Sequence, residues 1–72
     1  MIKIYKTNIK SARKKHTIAS VLNSIAGKGF WNIDLEDSDK ILRLEASRVK
    51  ALQVEYFLKT AGFYFEELPY QL

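Results

Sequence analysis

Ile18, Val21, Leu22, Ile25 and Ala26 recur at spacings of three and four residues, and so do Ala51, Val54, Phe57, Leu58 and Ala61. Each set forms one apolar stripe on a helix, and a helix of that kind needs a second surface to bury the stripe against. The segments around the two stripes supply it. Residues 2–6 alternate Ile2 and Ile4 with Lys3 and Tyr5, and FWNIDLE (30–36) sets Trp31, Ile33 and Leu35 against Asn32 and Asp34. KILRLEA (40–46) sets Leu42 and Leu44 against Ile41, Arg43 and Glu45, and Phe63–Glu67 makes a last short run before Pro69. A period of two over runs this short predicts half-buried strands. The punctuation agrees. Ser11 and Ser47 are suited to N-cap the two helices, AGKG (26–29) and Gly62 to end them, and DSD (37–39) to turn a hairpin. The order β-α-β-β-α-β predicts an α+β, ferredoxin-like sandwich: a four-stranded antiparallel sheet with two helices on one face, joined by right-handed crossovers.

At 72 residues the chain is expected to form one domain over residues 1–72. A single core of this size supplies roughly 3–5 kcal/mol, and with no cysteine there is no disulfide to add to it. The content of 47% apolar and 28% charged residues argues against disorder. No apolar run approaches the ~20 residues of a membrane span, and MIKIYK lacks the apolar core of a signal peptide. The expectation is a soluble, cytoplasmic protein that does not insert into membranes. Absence of thiolates removes the ligands that select copper(I), zinc and iron–sulfur clusters, and the single imidazole, His16, leaves a nitrogen-based site short of donors. No cofactor is expected. Nor is catalysis, because no nucleophile–base pair, paired carboxylates or glycine-rich phosphate loop is readable.

The net charge of +4 conceals an asymmetry. Residues 1–28 hold seven Lys and Arg and no Asp or Glu, whereas residues 29–72 hold five basic and eight acidic groups. The first third therefore favours an acidic partner: a protein surface, a nucleic acid, or another copy of the chain.

Element order, the text NIDLEDSDKILRLEA and the final strand in GFYFEEL (62–68) together resemble the heavy-metal-associated domain, the small module of copper chaperones and metal-pumping ATPases. The resemblance spans about residues 2–68 and implies the same fold. That family holds its metal on a Cys-x-x-Cys motif after the first strand, preceded by Thr. Here the aligned text is TNIKS, in which Thr7 is kept while Asn8 and Ser11 occupy the ligand positions. The resemblance also implies that a basic surface beside this loop docks an acidic partner domain.

Two neutral oxygens amid Lys6, Lys10 and Arg13 make a poor cation site, so Asn8 and Ser11 are read as a turn residue and a helix cap. Lys10, Arg13, Lys14 and Lys15 form the candidate partner-binding surface. Cations at a helix start oppose the helix dipole by ~0.3–1 kcal/mol each, and local propensity gives no reason for them. They suit an anion at the free N–H groups, although a solvated face maintaining solubility is the competing account. Metal handling through oxygens and His16, or through ligands shared between two chains, is the rival reading. Tyr5, Tyr64 and either Phe30 or Phe63 are candidates to project from the open face of the sheet, as a base-stacking or self-association surface, although ordinary packing, with Trp31 in the core, is the stronger account of most of these rings. Nucleic acid is the weakest of these partners, because the third strand offers no aromatic and Asp34, Glu45 and Glu66 place acid on that face.

Overall fold

A computed structural model describes residues 1–69; residues 70–72, the end of the expected domain, lie outside them. Among the described residues the elements are β1 (Ile2–Thr7), α1 (Ala12–Ala26), β2 (Trp31–Asp34), β3 (Ile41–Glu45), α2 (Arg48–Thr60) and β4 (Phe65–Leu68). The strands form one antiparallel sheet in the order β2-β3-β1-β4, the ferredoxin-like arrangement. α1 lies towards β2 and α2 towards β4.

Both helices start where the serines predict. Ser11 is extended, and its Oγ accepts the Lys14 N–H at 3.2 Å. Ser47 does the same for Lys50 at 3.2 Å. Each hydroxyl satisfies one of the N–H groups that the first helical turn leaves open. α1 stops at Gly27, whose φ of 103° suits glycine, and a Cβ there would meet the Phe30 ring at 3.0 Å.

Register decides which side chains reach the core. Tyr5 stands opposite Leu42 and Lys3 opposite Leu44 in one pairing, while Trp31 and Ile33 stand opposite the same two leucines in the other. Leu42 and Leu44 point to the helices, so Lys3, Tyr5 and Thr7 do too. Tyr5, Ile18, Leu22, Leu42, Leu44, Val54 and Leu58 are all fully buried. Ile4 is on the other face, only 4% exposed between its partners Arg43 and Leu68.

Four sequence expectations are corrected here. Tyr5 does not project from the open face; it packs edge-on against Phe65, with ring centroids 5.9 Å apart, beneath the helices. Burial of a tyrosine needs a partner for its hydroxyl, and Glu55 of α2 accepts that hydroxyl at 2.6 Å. Phe63 also turns inward against the core, whereas Tyr64 is half exposed. Ala61 is exposed, because it caps α2 instead of lying within its stripe. The last strand runs from Phe65 to Leu68, later than the alternation of 63–67 suggests, since the Phe63 N–H still donates to the Leu58 carbonyl at 2.9 Å in the turn after α2.

Candidate functional site

β1 delivers the chain to a four-residue loop, Asn8–Ser11, which then enters α1. The side-chain oxygens of Asn8 and Ser11 each have a partner within the chain. The Asn8 side-chain oxygen accepts the Tyr64 N–H at 3.0 Å, and the Asn8 N–H donates to the Tyr64 carbonyl at 3.3 Å. Asn8 thereby continues the β1–β4 ladder past the end of the strands. The Ser11 hydroxyl is spent on capping. Among the described residues no three His, Cys, Asp or Glu side chains come together.

Between those two positions lies a residue that the sequence reading passed over. Ile9 is fully buried in the main core although it sits in a polar loop. Thr7, also buried, holds the loop from below: its Oγ1 donates to the Lys40 carbonyl at 2.6 Å and accepts the Ile9 N–H at 3.2 Å. Lys40 is left-handed, with φ of 48°, and its Nζ donates to the Leu35 carbonyl at 2.7 Å. The β2–β3 hairpin and the β1–α1 loop are therefore clamped together. The signal available in the sequence was the solitary apolar residue between Thr7 and Ala12.

The four candidate cations separate into two kinds. Lys10, Arg13 and Lys14 are exposed, and among the described residues none forms an ion pair or side-chain hydrogen bond with the chain. Lys15 instead lies down on the sheet edge, where its Nζ donates to the Asn32 side chain at 3.1 Å and to the Ile33 carbonyl at 3.2 Å. Lys6 reaches Asp39 at 3.7 Å. Asp34 and Asp37 accept the N–H groups of Glu36 and Asp39, at 3.0 and 2.7 Å, as turn residues. α1 has no acidic residue in its first turn, so the helix start keeps its positive field and adds three free cations to it. His16 follows on the exposed side of α1.

Compared with known protein families, with curated proteins and with solved structures, the chain matches none. Its function has to be argued from its own geometry.

That geometry removes one of the surfaces considered above. With Tyr5 and Phe65 turned inward, the open face carries Ile2, Ile4 and Lys6 on β1 and Ile41, Arg43 and Glu45 on β3, with no aromatic among them. Tyr64 stands near the edge and donates to Glu66 at 2.7 Å; that bond, with some loss of solvent and the carboxylate charge, holds its phenol above the ordinary value. A stacking platform needs aromatic faces on the central strands, and here they are aliphatic or charged. A cavity of about 400 Å³ lies at the opposite end of the molecule from the Asn8–Ser11 loop, lined by Met1, Phe30, Glu45 and Lys50 among others.

The role of Ser11 can be checked directly. Ser11→Ala is expected to lower stability by ~1 kcal/mol, the usual loss for an N-cap hydroxyl, with Ser11→Asp close to the parent. Urea unfolding followed by circular dichroism reads both. An unchanged midpoint in Ser11→Ala would separate the hydroxyl from helix capping.

Proposed function

We propose that this chain is a small non-catalytic docking module that binds an acidic protein surface through the start of α1. The observation that carries this reading is the exposed set Lys10, Arg13 and Lys14 around the positive end of α1, where Ser11 caps one N–H and the first turn holds no carboxylate. Lys15 adds charge from a fixed position on β2. Such an arrangement opposes helix stability and favours carboxylates arriving from outside. The clamped loop beneath it supports the reading further, because a surface held by Thr7, Ile9 and Asn8 loses little freedom when a partner binds.

The resemblance to heavy-metal-associated domains fits this proposal as a relative that has kept the docking edge and exchanged the ligands. Asn8 and Ser11 stand at the ligand positions, and both oxygens serve the chain's own backbone. Nothing at the loop favours the metal-handling alternative over docking.

The test is capture of partners from native extract by the tagged parent and by Lys10→Glu/Arg13→Glu/Lys14→Glu, each with and without chelator. The variant is expected to keep its thermal midpoint, or raise it, since acidic groups suit a helix start. It is also expected to lose its acidic partner by about tenfold or more in affinity, with the parent's binding weakening as salt is added. A folded triple variant that retains every partner would overturn the proposal. A partner lost only on chelation would transfer the reading to metal handling.

A further inference from the structure

α2 buries Ala51, Val54 and Leu58, and on the opposite side it shows solvent a second apolar row. Val49, Leu52 and Tyr56 are 66%, 56% and 71% exposed. Their spacing of three then four is that of the a and d positions in a coiled-coil seam. At 1.5 Å rise per residue the row is about 10 Å long. Single exposed hydrophobics are ordinary on any protein, but three in line on one helix make a contact strip. α1 provides the comparison within the same molecule: beyond Ala12, its exposed positions are all polar, from Arg13 to Ser24.

The strip has a charge frame. Arg48, Lys50 and Lys59 are all exposed on this helix, and no acidic residue sits in its first turn. The single carboxylate of α2, Glu55, is half-buried and accepts the Tyr5 hydroxyl at 2.6 Å. The outward side of α2 thus presents apolar anchors flanked on one side by Arg48 and Lys59 and on the other by the neutral Gln53 and Thr60.

We propose that this side of α2 docks an amphipathic, acidic helix of a partner protein, with its apolar row seated on Val49, Leu52 and Tyr56. A second copy fits less well. α2 packed antiparallel on itself sets the Arg48 and Lys59 flanks against each other, cation facing cation, and α1 offers no apolar row to receive the strip. A lipid surface fits less well too. Helices that lie in a membrane interface bury a broad apolar face, whereas this row is one residue wide and bordered by Gln53 and Thr60. The surface is distinct from the start of α1. α2 begins beside Met1, whose carbonyl accepts the Ala46 N–H at 3.0 Å, whereas α1 begins at the far end of β1.

The test titrates the isotopically labelled full chain with a designed heptad peptide carrying Leu at a and d and Glu at e and g, with a scrambled peptide of equal composition as control. The expected result is amide shifts concentrated in Arg48–Thr60 and a loss of affinity of about tenfold or more in Leu52→Gln/Tyr56→Gln. Both positions are exposed, so that variant should melt like the parent. Lys10→Glu/Arg13→Glu/Lys14→Glu should still bind the peptide, which separates this surface from the one on α1. Three results would overturn the proposal for a helical partner: equal binding of the scrambled peptide, binding unchanged in the double glutamine variant, or no binding at all. Sedimentation showing a parent dimer that the glutamine variant dissolves would reassign the strip to a second copy. Flotation with phosphatidylserine vesicles, lost in the same variant, would reassign it to membranes.

Discussion

Ile9→Ala is expected to leave the chain largely unfolded at room temperature. Truncating a fully buried isoleucine typically removes ~2–5 kcal/mol, and a single core of this size supplies only about 3–5 kcal/mol in total. Ile9 reaches that core from the β1–α1 loop and is fully buried against it. Its backbone N–H also donates to the Thr7 hydroxyl that ties the loop to Lys40. Loss of the side chain therefore opens a cavity at the point where loop, hairpin and helix meet. Far-ultraviolet circular dichroism against urea checks this, with Ile2→Ala as comparison, since Ile2 is 43% exposed and should cost far less. An Ile9→Ala chain within about 0.5 kcal/mol of the parent would show that the loop is not part of the core.

The second large effect is alkaline. Burial, then the hydrogen bond to Glu55, then the charges of Glu55 and Glu67, push the Tyr5 phenol far above its ordinary value. In the unfolded chain the same phenol ionises near pH 10. Below that pH both states hold the proton and the stability is fully present. Above it the unfolded chain releases a proton that the folded chain retains, so stability falls with rising pH. The slope from this group is on the order of 1.4 kcal/mol per pH unit, or about 3 kcal/mol by pH 12. Tyr5→Phe should be ~1 kcal/mol less stable near neutrality, through the lost hydrogen bond, yet markedly less sensitive above pH 10. The two proteins share every other ionisable group, so the difference between the two curves isolates Tyr5. Parallel curves would show that the phenol is not held protonated by the fold.

Local signals carried most of the architecture. Ser11, Ser47, Gly27 and the Asp37–Asp39 turn mark element ends through hydrogen bonds within a few residues, and such contacts can be read from neighbouring letters. The phase of β1 is different. Ile4 and Tyr5 are both apolar, so a period of two permits either face inward, and the choice is made by pairing with Leu42 and by Glu55, fifty positions away. The same holds for the candidate site. That Ser11 caps α1 is a local matter, but Lys15 turning to Asn32 and Asn8 pairing with Tyr64 depend on which strands become neighbours. The outer row of α2 was present in the spacing of Val49, Leu52 and Tyr56. It was overlooked because one helix had two apolar rows and the core needed only one.

Lys3 and Glu67, 64 positions apart, meet at 3.1 Å, and Lys6 stands opposite Glu66 in the same ladder. At ~5–20 residues per second of synthesis, β1 waits roughly 3–13 s for β4 to emerge. During that interval its outer edge is an open template for any passing strand. The lysines on it turn that template into a lock keyed by sign. A β1 from a neighbouring nascent chain is repelled, a β4 is repelled by another β4, and the acidic strand made last is the one that closes the sheet.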